Sequence, residues 1–217
     1  MNEMFLQLKP GLQDFFDEQV EDVIWLNLHG DYTYMTEGYY LSLDAEISGK
    51  RVLPTTEEIL DAYVVPLAME KAGRNGIPIP ASRIVNSYLG VNPPVALYPI
   101  NQFLSGYQLA LGQEELEPKF KKVTMSGRFA ALVQELPNDY RIDTVRSVLG
   151  RCLVHEYQDF ALRAFQVFHL PLMKVKVLVT PSTYYLSSIE PFSFDSLTLK
   201  EKALLKEAYH GKNSDIH

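Results

Sequence analysis

The residues best suited to chemistry cluster in the run His29-Gly30-Asp31-Tyr32-Thr33-Tyr34, followed by Gly38 and Tyr39. An imidazole, a carboxylate and several phenols within a few positions can hydrogen-bond a small polar ligand, and the phenol rings add apolar faces. The run follows Val23-Ile24-Trp25-Leu26-Asn27-Leu28, whose near-continuous apolar character predicts a strand covered on both faces. Open α/β sheets bind ligands at the carboxyl ends of parallel strands, and a helix starting near Thr36 would offer unpaired backbone donors to an anion. His29, Asp31, Tyr32, Tyr34, Gly38 and Tyr39 are therefore the candidate ligand- or partner-binding residues, with Gly38 allowing a close approach to the helix backbone. The alternative is a structural turn, in which the tyrosines pack on the sheet edge and Gly38 is a packing position.

Other reactive residue types lack the companions they need. His155-Glu156-Tyr157-Gln158-Asp159 resembles a zinc-protease helix only in part, because Asp159 stands where the second histidine belongs. Cys152, the single cysteine, lies beside Arg151 but among Leu149, Leu153 and Val154, a setting for a core thiol rather than a nucleophile. Ser126 lacks the flanking glycines of a nucleophile elbow. The chain has no Gly-rich loop leading into Lys-Ser or Lys-Thr and no GxGxxG after its first strand. No catalytic residue, metal ligand or cofactor is expected.

The elements that must position these residues follow from periodicity and punctuation. Residues 5–21 read as a short amphipathic helix, and the first strand follows. A helix from Thr36 carries Tyr40, Leu43 and Ile47 on one face and stops at Gly49. Arg51-Val52-Leu53-Pro54 is the next strand, and the long connection predicts a parallel pair with a right-handed crossover. Thr55 and Glu58 have capping-box spacing before a helix with Ile59, Leu60, Tyr63, Val64 and Leu67, kinked at Pro66. Residues 76–141 are broken by prolines and read as an irregular insertion with short strands or helices. Its Tyr88, Tyr98, Phe103, Tyr107, Phe120 and Phe129 call for burial.

Helical spacing returns at 156–169, and Met173, Val175, Val177 and Val179 alternate with Lys174 and Lys176 as a strand does. Thr180-Pro181-Ser182-Thr183 turns the chain into a returning strand, and Thr198 with Glu201 caps a final helix. The expected class is a single α/β domain over 1–217, a Rossmann-like, partly parallel sheet flanked by helices with a C-terminal β-hairpin and final helix. It starts with strand, helix, strand and helix over 1–75, and closes with helix, hairpin and helix over 142–211.

With 47% hydrophobic and 22% charged residues in 217, the chain has the composition of a folded globular protein. A net charge of −7 argues against nucleic acid as a partner, and the short basic runs at Lys119-Phe120-Lys121-Lys122 and Lys50-Arg51 read as solvated surface. Apolar stretches fall short of the roughly 20 residues that cross a bilayer, no secretory signal opens the chain, and one cysteine permits no internal disulfide. A cytoplasmic protein with no membrane association is expected.

Tyr32-Thr33-Tyr34, Gly38-Tyr39-Tyr40, Ser42-Leu43 and Ala45-Glu46, followed by Gly49, Lys50 and Val52-Leu53-Pro54, form a series that resembles the opening motif of the N-terminal module of RimK-like ATP-grasp proteins. Phe168-His169-Leu170-Pro171-Leu172-Met173 is similar to that family's helix leading into a Pro-Leu-Leu strand, and Ser188-Ile189-Glu190-Pro191-Phe192 also fits. The resemblance covers the first and last thirds of the chain and leaves 76–141 unmatched. In the family this module precedes an ATP-grasp domain that activates a carboxylate as an acyl phosphate and joins it to an amine. With the sequence given ending at His217, the resemblance implies a non-catalytic accessory role, binding a peptide, an amino acid or an ATP-grasp ligase. A free-standing enzyme acting on a small carboxylate or amine and a ligand-free structural or oligomerising protein are the competing readings.

Overall fold

The computed structural model describes residues 24–101 and 104–211, so the expected helix at 5–21, Val23 and Phe103 lie outside the described residues. The protein is mixed α/β with a partly parallel component, as expected. It divides into two compact units: Met1–Ile59, Val145–Lys174 and Glu190–His217 form the first, Leu60–Thr144 and Val175–Ile189 the second. Among the described residues no helix is long and apolar enough to cross a membrane.

In the first unit, β1 (Ile24–Leu26), α1 (Glu37–Ile47) and β2 (Arg51–Leu53) make the parallel strand–helix–strand unit, with Trp25 opposite Val52. β1 is half-buried rather than covered on both faces. Thr36 caps α1, and Gly49, at φ +70°, takes the chain out of it. The buried face of α1 differs from the one read from residue size. Tyr40 and Ile47 are exposed, whereas Gly38, Leu41, Ser42 and Ala45 are buried.

The cause is Asn27, which follows β1 and is 0% exposed. Its side-chain amide donates to the Gly38 carbonyl at 2.7 Å and to the Ser42 hydroxyl at 2.9 Å, and its Oδ1 accepts from the His29 amide at 3.2 Å. A carbonyl can only accept and an amide N–H can only donate, so these partners fix the orientation of the Asn27 group. Ser42 then donates to the Pro54 carbonyl at 2.7 Å, and the Asn27 backbone amide donates to the Leu53 carbonyl at 2.8 Å. Bonds this short bring the helix backbone close to the strand ends, with the small residues Gly38 and Ser42 at the points of contact and Leu41 and Ala45 packed beside them with Val52.

A core of Leu28, Val148, Leu149, Phe165, Leu172, Phe192, Leu197 and Leu205 completes this unit. It includes residues of α5 (Gln158–Phe168), which follows a 3₁₀ turn at His155–Tyr157, and of α6 (Leu199–Gly211). Thr198 and Glu201 form the expected capping box, with the Thr198 amide 2.8 Å from the Glu201 carboxylate. That carboxylate, almost fully buried, also takes two bonds from the Arg146 guanidinium, at 2.6 and 3.2 Å. The guanidinium stacks over the Phe192 ring and donates to the Ser196 carbonyl. Thr55 and Glu58 form the other expected box at α2 (Thr56–Tyr63), and the second Glu58 oxygen lies 2.6 Å from His169 Nδ1.

Pro66 starts a helix instead of kinking one. Val64 is extended, and α3 (Val65–Arg74) begins with the proline in its first turn, where a missing N–H costs nothing. The second unit continues with β3 (Ser82–Val85), β4 (Val95–Pro99), β5 (Gln108–Ala110), α4 (Gln113–Val123) and β6 (Ala131–Glu135). The strands form an antiparallel sheet in the order β3-β6-β4-β5. The short strands or helices expected within 76–141 are thus these strands and α4, and the strands join in one sheet. Its core joins Val95, Leu97 and Val133 to Leu116, Phe120 and Val123 of α4. Of the aromatics expected inside, Tyr98 and Phe120 are buried, Tyr88 and Tyr107 are half-buried, and Phe129 is exposed.

Gln134 is buried in this unit with its amide satisfied: it donates to the Ser187 carbonyl and accepts from the Ser187 hydroxyl, both at 2.7 Å, and Tyr98 shares that hydroxyl. A third sheet has the order β7-β8-β9, from β7 (Arg141–Val148), β8 (Leu172–Val179) and β9 (Tyr184–Pro191). The Thr180–Thr183 turn between β8 and β9 is closed by the Thr180 hydroxyl, which donates to the Thr183 carbonyl and accepts from its amide.

Two stability measurements follow. Asn27→Leu removes the side-chain partner of the His29 amide and one bond each to the Gly38 carbonyl and the Ser42 hydroxyl, and lowers the unfolding free energy in urea by about 3 kcal/mol or more, against about 1–2 kcal/mol for Ser42→Ala. Burial alone would raise the Glu201 carboxyl, but bonds from Arg146 and from the Thr198 amide and hydroxyl outweigh it and hold the group below its ordinary value. Its contribution is thus present above the ordinary glutamate pKa of about 4.3 and is lost as pH falls through the lower folded value. Glu201→Gln is less stable than the wild type at pH 7, and the gap between the two urea midpoints closes on acidification through that window.

Candidate functional site

The loop after β1 is shaped from below. Asn27 holds both its start and the helix it enters, and Gly30, at φ +85°, passes so close to the backbone of Phe192 and Ser193 that any Cβ there would overlap it. The Phe194 amide donates to the Leu28 carbonyl at 3.1 Å and fastens this crossing. Further on, Asp31 Oδ1 accepts from the Thr33 amide at 3.1 Å, and the Thr36 hydroxyl lies 2.7 Å from the Thr33 carbonyl and 3.0 Å from the Asp31 carbonyl. These are the short-range bonds by which Asp and Thr stabilise turns and helix starts.

The six residues singled out in the sequence divide into two layers. Tyr32 is fully buried, and its hydroxyl donates to the Asn27 carbonyl at 2.5 Å. Gly38 is buried beneath the Asp31 carbonyl, which a Cβ at Gly38 would overlap, and His29 Nδ1 stands just beyond. The close approach that Gly38 permits is thus made by this chain's own loop. Asp31 and Tyr34 are exposed, while His29 and Tyr39 are partly covered. His29 Nε2 lies 3.6 Å from the Glu37 carboxylate, and His29 Nδ1 is buried and has no hydrogen bond among the described residues.

Tyr34, Tyr39 and Tyr40 stand edge to face in series, with ring centroids 5.2 and 5.8 Å apart. Met35, at φ +72°, is 66% exposed beside Tyr34 in the chain. The upper layer is therefore a carboxylate, a set of phenols and an apolar thioether over a hydrogen-bonded loop. Such a surface can pair an ammonium with Asp31 and stack or hydrogen-bond a peptide on the tyrosines.

Other candidates resolve as packing or solvated surface. Cys152 is buried, its thiol donates to the Val154 carbonyl at 3.1 Å, and burial pushes its pKa up, so thiolate is disfavoured. His155, Glu156 and Asp159 are all exposed on the 3₁₀ turn and first turn of α5. Lys119 and Lys121 pair with Glu115 and Glu117 one helical turn back, and Lys50 lies over the Trp25 ring at 4.3 Å. The supporting residues Asn27 and Ser42 were not singled out in the sequence. The one available signal was an asparagine inside an apolar run, which must find partners if the run is buried.

A profile of the RimK-like ATP-grasp N-terminal domain matches residues 12–82 and 92–208, including most of the stretch that the motifs left unmatched. No curated protein matches the sequence. Among solved structures, D-alanine-D-alanine ligase from Helicobacter pylori is similar with a TM-score of 0.60 at 15% identity, over 85% of this chain and 69% of that one. The RimK domain ATP-grasp protein from Sphaerobacter thermophilus gives 0.57 at 13% identity, over 80% and 76%. The ATP-grasp ligase PsnB complexed with minimal precursor, Mg and ADP gives 0.56 at 13%, over 82% and 68%. Identities this low establish likeness of fold alone. The family match spans most of the chain, and the protein belongs to the RimK-like ATP-grasp N-terminal domain family.

Proposed function

We propose that this chain is a non-catalytic accessory module of ATP-grasp amide-bond-forming systems, and that it holds a peptide or amino-acid substrate, or a partner ligase, on the surface of His29, Asp31, Tyr34 and Tyr39. The observation that carries the reading is the two-layer loop: Tyr32, Gly38 and Asn27 hold it from beneath, while Asp31 and Tyr34 face solvent above. A surface ordered before its partner arrives loses less freedom on binding. The chemistry suits a zwitterionic or peptidic ligand, with Asp31 taking an ammonium and the Tyr34 hydroxyl donating to a carboxylate or peptide carbonyl. The family and the likeness in fold to ligases, one of them complexed with a precursor, support the association with amide-bond formation.

Two phenylalanine substitutions separate support from contact. Tyr32→Phe removes a buried donor and lowers stability by about 1–2 kcal/mol, a few degrees in melting temperature, with binding retained. Tyr34→Phe leaves the melting temperature unchanged and weakens, by about fivefold or more, binding of whichever amino acid, dipeptide or ATP-grasp ligase saturably stabilises the wild type. Full binding by both variants would make the surface structural and remove the assignment.

The non-catalytic part of the reading has its own test. Calorimetry of the full chain with ATP and magnesium shows no saturable binding; a dissociation constant below roughly 100 μM, more than about 5 kcal/mol of binding free energy, overturns it.

A further inference from the structure

β3 is an end strand of its sheet, and the register shows which of its backbone groups are unused. The antiparallel register sets Ser82 opposite Gln134, hence Ala81 opposite Glu135, and the Glu135 amide donates to the Ala81 carbonyl at 2.9 Å. That makes Ala81 and Glu135 a hydrogen-bonded pair, so Arg83 and Val85 also turn their amides and carbonyls toward β6. Ser82 and Ile84 turn theirs outward, and no hydrogen bond from the described residues reaches either backbone. Ser82, Arg83 and Ile84 are exposed, Ile84 by 57%. Outward groups in this arrangement are a template for one more strand.

The side chains select what that strand carries. An added antiparallel strand exchanges backbone bonds with Ser82 and Ile84, which leaves Arg83 at the intervening position, where facing Cα atoms come within about 4.5 Å and side chains meet most closely. A second copy centred on the same residue would set Arg83 against its twin, and like charges directly opposite repel. A carboxylate there is attracted. The Arg83 guanidinium is held at the edge by one bond to the Gly90 carbonyl, at 2.9 Å, and keeps further donors for an acid. On the other face, exposed Ile84 favours apolar neighbours.

We propose that the β3 edge is a strand-addition site for an extended peptide in which an acidic residue is flanked by apolar ones. Arg83 selects the acid, and the outward amides and carbonyls of Ser82 and Ile84 bind the strand. The site belongs to the second unit and does not rest on the function proposed for the loop after β1.

The test uses the full chain and two fluorescent, end-capped peptides, Ser-Val-Glu-Val-Ser and its counterpart with Lys at the centre, read by anisotropy. The wild type binds the Glu peptide at least tenfold more tightly than the Lys peptide, and Arg83→Glu reverses that order. Ile84→Pro removes an outward amide without touching the bonds to β6, a place where edge strands tolerate proline, and weakens binding of the Glu peptide at least tenfold with unchanged circular dichroism. No binding, equal affinity for the two peptides, an unreversed order in Arg83→Glu, or undiminished binding by Ile84→Pro overturns the site. So does a dimer in sedimentation that Ile84→Pro dissolves, since the edge would then serve a second copy. Should Ile84→Pro not fold, the charge reversal at Arg83 decides alone.

Discussion

A side-chain amide shut away from water must find its hydrogen bonds inside the protein, because an unmet donor or acceptor there costs about 1–3 kcal/mol. At Asn27 this requirement governs the first strand–helix–strand unit. The amide reaches the Gly38 carbonyl and the Ser42 hydroxyl, Ser42 reaches Pro54, and the Asn27 backbone reaches Leu53. One residue thereby joins the ends of both strands to the first turns of α1. Gly38 and Ser42 allow this close approach where the bonds are made, Leu41 and Ala45 pack beside them, and Tyr40 and Ile47 are left in solvent.

The same closeness divides the tyrosines of the following loop. Tyr32 is drawn under the loop to the Asn27 carbonyl, where burying its ring and satisfying its hydroxyl reinforce each other. Tyr34, two residues on, lies beyond the reach of that carbonyl and joins Tyr39 in the exposed series. Gly30 at the Phe192–Ser193 crossing and Gly38 under Asp31 are the points where the backbone leaves no space for a Cβ. The exposed residues thus stand on a layer whose polar groups are hydrogen-bonded and whose close contacts are filled.

The second unit is organised around a different polar centre. Gln134, Ser187 and Tyr98 satisfy one another where no water reaches, tying β6 and β4 to β9. On the opposite face of its sheet, Val95, Leu97 and Val133 pack against α4. Closure is incomplete along β3, whose outer backbone groups have nothing further to pair with in the described chain. Its short length and the charge of Arg83 are features that discourage indiscriminate strand pairing, and they also give the edge a preference.

Local rules carried much of the first and last thirds. Capping boxes at Thr55–Glu58 and Thr198–Glu201, the stop at Gly49, the parallel pair and the turn at 180–183 each depend on residues within a few positions or on the length of a connection, so the sequence by itself determined them. The family motif was legible for the same reason. The middle was not, because β4 is buried along its whole length and shows no alternation, and its short companions are strands only by virtue of their partners. Tertiary structure alone decided which face of α1 is inward, that Tyr32 is a support while Tyr34 is exposed, and that Gly38 is filled by Asp31. A phenol suits both the interior and the surface, and a glycine accommodates any close neighbour. Which partner each one meets is set by where a distant carbonyl arrives when the chain folds, and residue spacing holds no record of that.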